Sequence, residues 1–334
     1  MTMNNWNFSQ VWNKALENQE IKKITPRNRI WASELGKSYI DLYLKMQGVE
    51  LTNPPNPRSL RKFEAGNMFE WIVSLILKRA GILKEVQKWT SYQYPGLLEV
   101  TGKADFIAGG TPKPNQEVIE DIKGLGLPNF FLRGATAILE HLMSSGELVE
   151  MPLEIKSVSA FMFDALERTG GSSKNHRLQL FHYLKSMNYE IGHLIYICRD
   201  DLRMIEVKIY NNELIEKEYK DFIAGLSEYC NKSEQPPLEK TIVFDPDICK
   251  FAKNFNIAYS GYLTKLYGFK DQMEFDEKYI PIVSRWNRVI NRVKNNSTIT
   301  DKNKLVLEEI KSEGFNIEEI LNNFNANPEE EFNG

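Results

Sequence analysis

Cysteine is nearly absent: the chain has three, Cys198, Cys230 and Cys249, and no two form a CxxC pair. This argues against a disulfide framework, a zinc knuckle or a complete four-cysteine iron–sulfur site, and fits a reducing compartment. The four histidines also lack the partner spacing of metal ligands. Long apolar runs are missing too. The longest, Trp71 to Leu77, is too short and too interrupted to cross a bilayer. The opening MTMNNWNFSQVW is polar, without the basic-then-apolar pattern of a signal peptide. These absences point to the cytoplasm and to no membrane partner.

A positive balance is lacking as well: 42 basic residues face 45 acidic ones, a net charge of −3. Nothing chain-wide attracts a polyanion. The distribution is uneven, however. Between Ile21 and Lys62 nine basic residues stand against three acidic ones, and from Asp301 onward three basic against nine acidic. A positive face for phosphates and a solvated acidic tail fit this polarity, as do two ordinary solvated helix surfaces. What the chain does have is apolar mass: 334 residues, 42% hydrophobic and 11% aromatic, enough for a substantial core.

Along the chain, residues from Phe8 to Gln47 read as helical, with Ser33 as a cap for ELGKSYIDLYLKMQG. NPPNPRS interrupts the pattern, because prolines at that density cannot continue a helix or a central strand. A strongly apolar helix is expected from Leu60 to Ala80, then strands at Val86–Tyr94 and Leu97–Ile107. A Gly/Pro-rich loop and a helix, FFLRGATAILEHLM, follow. A strand is expected at Glu150–Val158, a helix at His176–Met187, and two strands, HLIYICRDD and LRMIEVKIY, joined by a tight turn. Beyond Asn211 the chain reads as mostly helical. This order favours a mixed α/β fold, a central sheet packed by helices on its faces.

Glu70 lies in GNMFEWIVSLIL, where a carboxylate costs stability unless compensated. Its helical neighbours Gly66, Asn67, Val73 and Ser74 carry no positive charge, so the compensation must come from elsewhere, a cation being one candidate. Gly66 would admit another backbone. In VTGKADFI the two-residue period puts Thr101, Lys103 and Asp105 on one strand face and Val100, Gly102, Ala104 and Phe106 on the other. In MPLEIKSVS it puts Glu154 and Lys156 together, opposite Met151, Leu153 and Ile155. Taken singly, each of these residues has an ordinary structural explanation.

Taken in order, a helix glutamate, a strand acid in Gly-x-x-Asp, an apolar strand with E-x-K, and a helix with Gln179 and Tyr183 resemble the PD-(D/E)XK nuclease superfamily. The helix glutamate and the Q-x-x-x-Y resemble its RecB-type branch, which includes the phage lambda exonuclease and CRISPR-associated RecB-like nucleases. The resemblance spans about Arg61 to Tyr210. It implies a restriction-endonuclease-like central mixed sheet, and a DNA nuclease acting on ends or single strands in recombination, repair or phage and mobile-element DNA processing. Glu70, Asp105, Glu154 and the Ile155 carbonyl would hold Mg²⁺ or Mn²⁺. Lys156 would orient or help deprotonate the attacking water, and Gln179 would hold the phosphate or that water. Arg61, Lys62, Lys174, Arg177 and Tyr183 would touch the nucleic acid. The acidic C-terminal region would recruit a recombination or replication protein.

The chain departs from the branch in three ways. Many relatives carry histidine where this chain has Glu70. The cysteines that hold an iron–sulfur cluster in several relatives are missing from NFNIAYSGYLTKLYGF, so no cluster is expected. The gap from Asp105 to Glu154 is long and contains a rival triplet, Asp121-Ile122-Lys123, which stays open. His176 and His182 read as packing or surface residues, and Gly170 to Lys174 as a loop. Trp6, Trp12, Trp31, Tyr39 and Tyr43 serve either the core or base stacking. The expected division is a helical region over 1–60, a nuclease core over 61–215 with an insertion at about 109–149, and a helical region with an acidic tail over 216–334.

Overall fold

The computed structural model describes residues 14–15, 24–113, 115–126, 129, 132–133, 148–245, 250–295 and 299–326. The helix expected at FFLRGATAILEHLM falls mostly outside them, as do Trp6, Trp12, Cys249 and the PEEEF terminus. The chain forms two compact units, Met1–Val49 with Pro55–Pro236 and Glu50–Pro54 with Pro237–Gly334.

The first unit is a mixed α/β structure around one sheet. Its strands are β1 (Arg29–Trp31), β2 (Leu83–Tyr92), β3 (Glu99–Gly110), β4 (Leu148–Val158), β5 (Ile191–Cys198) and β6 (Met204–Tyr210). They run in the order β1-β3-β4-β5-β6, with β2 also on β3. The β1–β3 and β4–β5 pairs are parallel and the others antiparallel. One edge of β3 serves two neighbours in succession. β1 pairs with it from Glu99 to Thr101, and β4 from Phe106 to Gly110. Between these registers the edge forks.

The helices of this unit with ranges among the described residues are α1 (Tyr39–Met46), α2 (Pro57–Arg79), α3 (Asn115–Lys123), α4 (Ala160–Thr169), α5 (Lys174–Met187) and α6 (Glu213–Lys232). Two apolar clusters cover the sheet. Leu194, Tyr196 and Cys198 of β5 pack with α5 and α6, whereas Ile195 and Ile197 pack with α2 and α3. This alternation puts the clusters on opposite faces. Helix α5 is buried from Leu178 to Leu184 without a break, as expected of a helix enclosed on all sides.

Several expectations are corrected. The stretch from Phe8 to Gln47 is not one helix: β1 and a 3-10 turn (Ala32–Glu34) precede α1. Ser33 sits inside that turn, and Ser38 holds the cap position of α1. The backbone goes extended at β1 because Ile30 buries into the core while Arg29 and Trp31 point to the other face. NPPNPRS does not end before the next helix; it starts it. Asn56 caps α2 by accepting the Ser59 N–H at 2.9 Å, and Pro57 takes the first turn, where its missing N–H costs nothing. The strict alternation expected along β3 breaks: Val100 and Ala104 join the α5 cluster, but Phe106 and Ala108 join the α2 cluster. The strand changes face at Asp105, beside Gln87 of β2, whose φ is +50°. Gly66 admits no backbone; an added Cβ would meet only the Ser157 hydroxyl, at 3.6 Å. The expected boundary after residue 215 lies within α6, which packs against α1 and α5 in the first unit.

The second unit is helical with a short hairpin. β7 (Ile242–Asp245) and β8 (Lys250–Lys253) pair antiparallel, a hairpin that the helical reading of this region missed. Helices α7 (Phe255–Ala258), α8 (Leu263–Tyr267), α9 (Gln272–Lys294), α10 (Asp301–Ser312) and α11 (Ile317–Ala326) complete it. Trp286, Phe251 and Phe315 form its aromatic centre. Asn53 clips the Glu50–Pro54 segment in place, donating to Lys270 O at 2.8 Å and accepting from Thr264 N at 2.7 Å. No helix among the described residues is long and apolar enough to cross a membrane.

Candidate active site

The fork in the sheet gathers the charged residues singled out by sequence. β4 leaves β3 after Leu153, so the next residues, Glu154 to Lys156, border the opening. Ile155 donates its backbone N–H to Asp105 Oδ2 at 2.9 Å. Asp105 and Glu154 are 8% and 1% exposed. Lys156 Nζ donates to Glu154 Oε1 at 2.5 Å, and Gln179 Nε2 of α5 donates to the same oxygen at 2.6 Å. Gln179 also donates to the Tyr183 hydroxyl at 3.0 Å, one helical turn on. Glu154 Oε2 is buried with no hydrogen-bond partner.

Glu70 reaches this centre from α2. It stands one turn before Val73 and two before Leu77, both buried against the sheet, so it lies on the same stripe of the helix. Burial first, and then the Asp105 carboxylate, push Glu70 up to about 7, against Lys156. Burial and Asp105 push Glu154 up to about 8, with Lys156 pulling back. Asp105 rises for the same first reason, opposed by Lys156, the Ile155 N–H and hydrogen bonds involving Glu154 and Gln87. Burial would lower Lys156, but the carboxylates of Glu154, Asp105 and Glu70 outweigh it and raise the group, which stays an ammonium. Three acids thus share one lysine. The excess of carboxylates is held by protons unless another cation is present.

The donor set is hard oxygen, and Glu154 Oε2 is a buried acceptor that no N–H or hydroxyl reaches, leaving only a proton shared with Asp105 or a cation to satisfy it. Both suit Mg²⁺ or Mn²⁺. Among the described residues, however, no group of three or more Asp, Glu, His or Cys side chains is placed to hold a metal ion as it stands.

Two glycines set the walls of the site. A Cβ on Gly102 would lie 2.7 Å from the Ala32 Cβ and 3.0 Å from the Tyr183 ring, so only glycine lets that ring lie on β3. Gly36, at φ +76°, leaves no room for a side chain beside Asn175 of α5. Lys37 follows it, its pKa lowered by burial and by neighbouring cations, Lys45 and then Lys156 among them.

The remaining expected residues are placed as follows. Tyr183 is buried and accepts from Gln179, so it has no surface to offer a nucleic acid. Arg177 is engaged with Glu218 at 3.1 Å. Arg61 and Lys62 lie exposed on α2, and Lys174 exposed at the start of α5. The rival triplet sits on helix α3 and not on a strand, with Asp121 paired to Arg79 at 3.6 Å. Ser173 caps α5, so Gly170 to Lys174 is a junction between helices. His176 bonds the Tyr196 hydroxyl at 3.1 Å, and buried His182 bonds Thr90 at 3.1 Å and Tyr219 at 2.8 Å. Tyr39 packs on Phe222, and Tyr43 packs against the core. Gln87 was not singled out: it donates to Asp105 at 3.4 Å, from a backbone conformation that no sequence pattern announced.

No family model matches the chain, and no curated protein matches it. Among solved structures it is similar to SSO0001, at 18% identity over 66% of this chain and 86% of that one, with a TM-score of 0.39. It is also similar to the alkaline exonuclease LHK-Exo from Laribacter hongkongensis, at 14% identity over 67% of this chain and 97% of that one, with a TM-score of 0.36. The same enzyme in complex with dAMP gives the same values.

Proposed function

We propose that the chain is a divalent-metal-dependent nuclease of the PD-(D/E)XK superfamily, RecB-type branch, hydrolysing DNA phosphodiesters at ends or in single strands. One observation carries the reading: two buried carboxylates, Asp105 and Glu154, meet at a sheet fork beside Lys156 and Gln179, with one carboxylate oxygen left without a donor. A structural ion pair would balance; this cluster holds more acid than base.

Asp105, Glu154 and Glu70 hold Mg²⁺ or Mn²⁺ in this reading. The Ile155 carbonyl joins them, because a strand residue's N–H and C=O leave by the same edge and the Ile155 N–H points at Asp105. A bound ion supplies charge neutralisation at the phosphate and activation of water. Lys156, held protonated by its acidic neighbours, donates a hydrogen bond and positive charge to the phosphate or the attacking water; it does not serve as the base. Gln179 spends its amide hydrogens on Glu154 and Tyr183, which leaves its carbonyl oxygen to accept from the water. Lys62 and Lys174 are the outer phosphate contacts. The likeness to the branch is the basis for a role in recombination, repair or phage DNA processing, for a location in the cytoplasm, and for a partner recruited by the acidic C-terminal region.

Digestion of end-labelled single- and double-stranded DNA with Mg²⁺, Mn²⁺ or EDTA tests the reading. Products should require the ion and disappear in Asp105→Ala and Lys156→Ala. Cleavage surviving EDTA, or indifferent to both substitutions, rejects it. A second reading, a DNA-binding module that keeps the fold without the chemistry, draws on the lack, among the described residues, of a group placed to hold a metal ion as it stands. Calorimetric titration with Mn²⁺ separates the two, since such a module would bind DNA but no ion.

A further inference from the structure

At its β1 end the sheet has one face under α5 and one face turned outward. Ile30, Val100 and Ala104 belong to the α5 cluster, and Thr90 bonds His182 on that side. By alternation, Arg29, Trp31, Thr101, Lys103 and Trp89 share the outer face. The register confirms the grouping: Trp31 pairs with Thr101 and Trp89 with Lys103. Across β3, the Trp31 and Trp89 rings stack with centroids 5.7 Å apart and planes 22° apart. Trp89 is 56% exposed.

Three cations lie against the stack: the Arg27 guanidinium, 5.9 Å from the Trp31 ring, and two more. The Arg29 guanidinium lies 5.2 Å from the Trp31 ring, and Lys103 Nζ lies 5.3 Å from the Trp89 ring. Neither has a carboxylate partner among the described residues, unlike Arg27, which is bound to Glu34 at 2.6 Å. Glu99, the acid on this face, accepts from Ser91.

We propose that this face is a stacking platform for unpaired bases of a DNA strand, with Trp31 and Trp89 as its aromatic surface and Arg29 and Lys103 as its phosphate contacts. Exposed aromatics beside free cations are what sequence-tolerant single-strand binders use, because every base has a π-face and every linkage a negative charge. A duplex hides its base faces and offers such a surface only its backbone. Placement agrees: Lys103 is two residues and Thr101 four residues from Asp105 along β3, the latter about 13 Å at strand rise. That distance is about four stacked nucleotides, so a strand lying on the platform brings a phosphate to the fork. The inference rests on the nuclease reading and specifies the form of DNA the site receives.

The test measures fluorescence anisotropy of a labelled twelve-nucleotide oligothymidylate and of a blunt duplex of equal length, in EDTA. Proteins are the full chain, Trp89→Ala, Trp89→Phe and Lys103→Ser. Trp89→Ala should weaken oligothymidylate binding about tenfold or more, with phenylalanine recovering most of it and duplex affinity moving by less than about threefold. Lys103→Ser should flatten the slope of log affinity against log salt by about 0.7. Unchanged affinity in Trp89→Ala, or an equal loss for both forms of DNA, overturns the platform. Cleavage with Mn²⁺, followed in parallel, keeps the two readings apart. A chain that cleaves but ignores Trp89→Ala loses the platform alone. A chain that never cleaves, yet loses oligothymidylate with Trp89, keeps the platform and loses the nuclease reading.

Discussion

Helix α5 touches two buried polar clusters, one through His182 and the other through Gln179, and they are composed in opposite ways. His182 is fully buried, uncharged and satisfied at both ring nitrogens, by Thr90 and Tyr219. Burial holds its pKa down at about 3. Every donor there has an acceptor, which is how a polar group earns a place in a core. Around Gln179 the count does not balance: Glu154, Asp105 and Glu70 face one Lys156, and Glu154 Oε2 has no donor. A fold that wanted only stability would have no use for the second arrangement. The difference teaches that a site is recognised by what its neighbourhood leaves unsatisfied, more than by burial or polarity as such.

Three measurements would sharpen or break this contrast. The largest effect is expected from Asp105→Asn and Glu154→Gln, which remove charge but keep shape. Cleavage should fall by about a hundredfold to a thousandfold or more, while the melting temperature at pH 8 holds or rises, because an uncompensated charge has gone. A marked drop in melting temperature would make this cluster structural like its neighbour. Next, Tyr219→Phe should strip His182 of one partner and cost about 1–3 kcal/mol, read as a lower midpoint in urea, with cleavage kept. If cleavage were lost as well, the two clusters would be one.

The smallest effect concerns pH. Glu70 and Glu154 have pKa values raised in the folded chain, to about 7 and about 8. Their contribution to stability is therefore fully present below the unfolded carboxylate range and is lost as pH rises through 7 to 8. Mn²⁺ replaces the protons that are lost, so it should raise the melting temperature by a few degrees at pH 8 and by less at pH 6. An equal shift at both values would speak against these carboxylates as the ligands.

The sheet was legible where its strands are long enough to show a period. VTGKADFI, MPLEIKSVS and the hairpin from Ile191 to Tyr210 are all strands as their alternation predicts, although in VTGKADFI the faces exchange at Asp105, so that Phe106 leaves the side of Val100 and Ala104. Strand β1 was not, since three residues show no period and its extended form comes from pairing with β3. Helix α4 went unread although Ser159 stands as its cap, and the β7–β8 hairpin was lost among helical patterns. At the site, Glu154, Lys156 and Gln179 are brought together because strand and helix spacing fix their directions. Gln87 depends on a left-handed backbone residue and Trp89 on a partner across β3, and neither has a signature along the chain. Tyr183 was legible in position and misjudged in role, because spacing gives a residue's direction but not the closeness that Gly102 allows.

The forked edge of β3 also separates what must stay fixed from what is at liberty to vary. β3 and β4 run as a hairpin away from Asp105, and the residues joining them, 111–147, depart from its far tip. That tip is five residues beyond Asp105, about 17 Å along the strand. Lengthening or shortening the connection leaves both walls of the opening anchored by their own registers. That freedom stops at α3, whose Val118 and Ile122 are buried in the cluster that also holds Ile155 and the inner stripe of the Glu70 helix, so a rewritten connection has to keep those two apolar side chains.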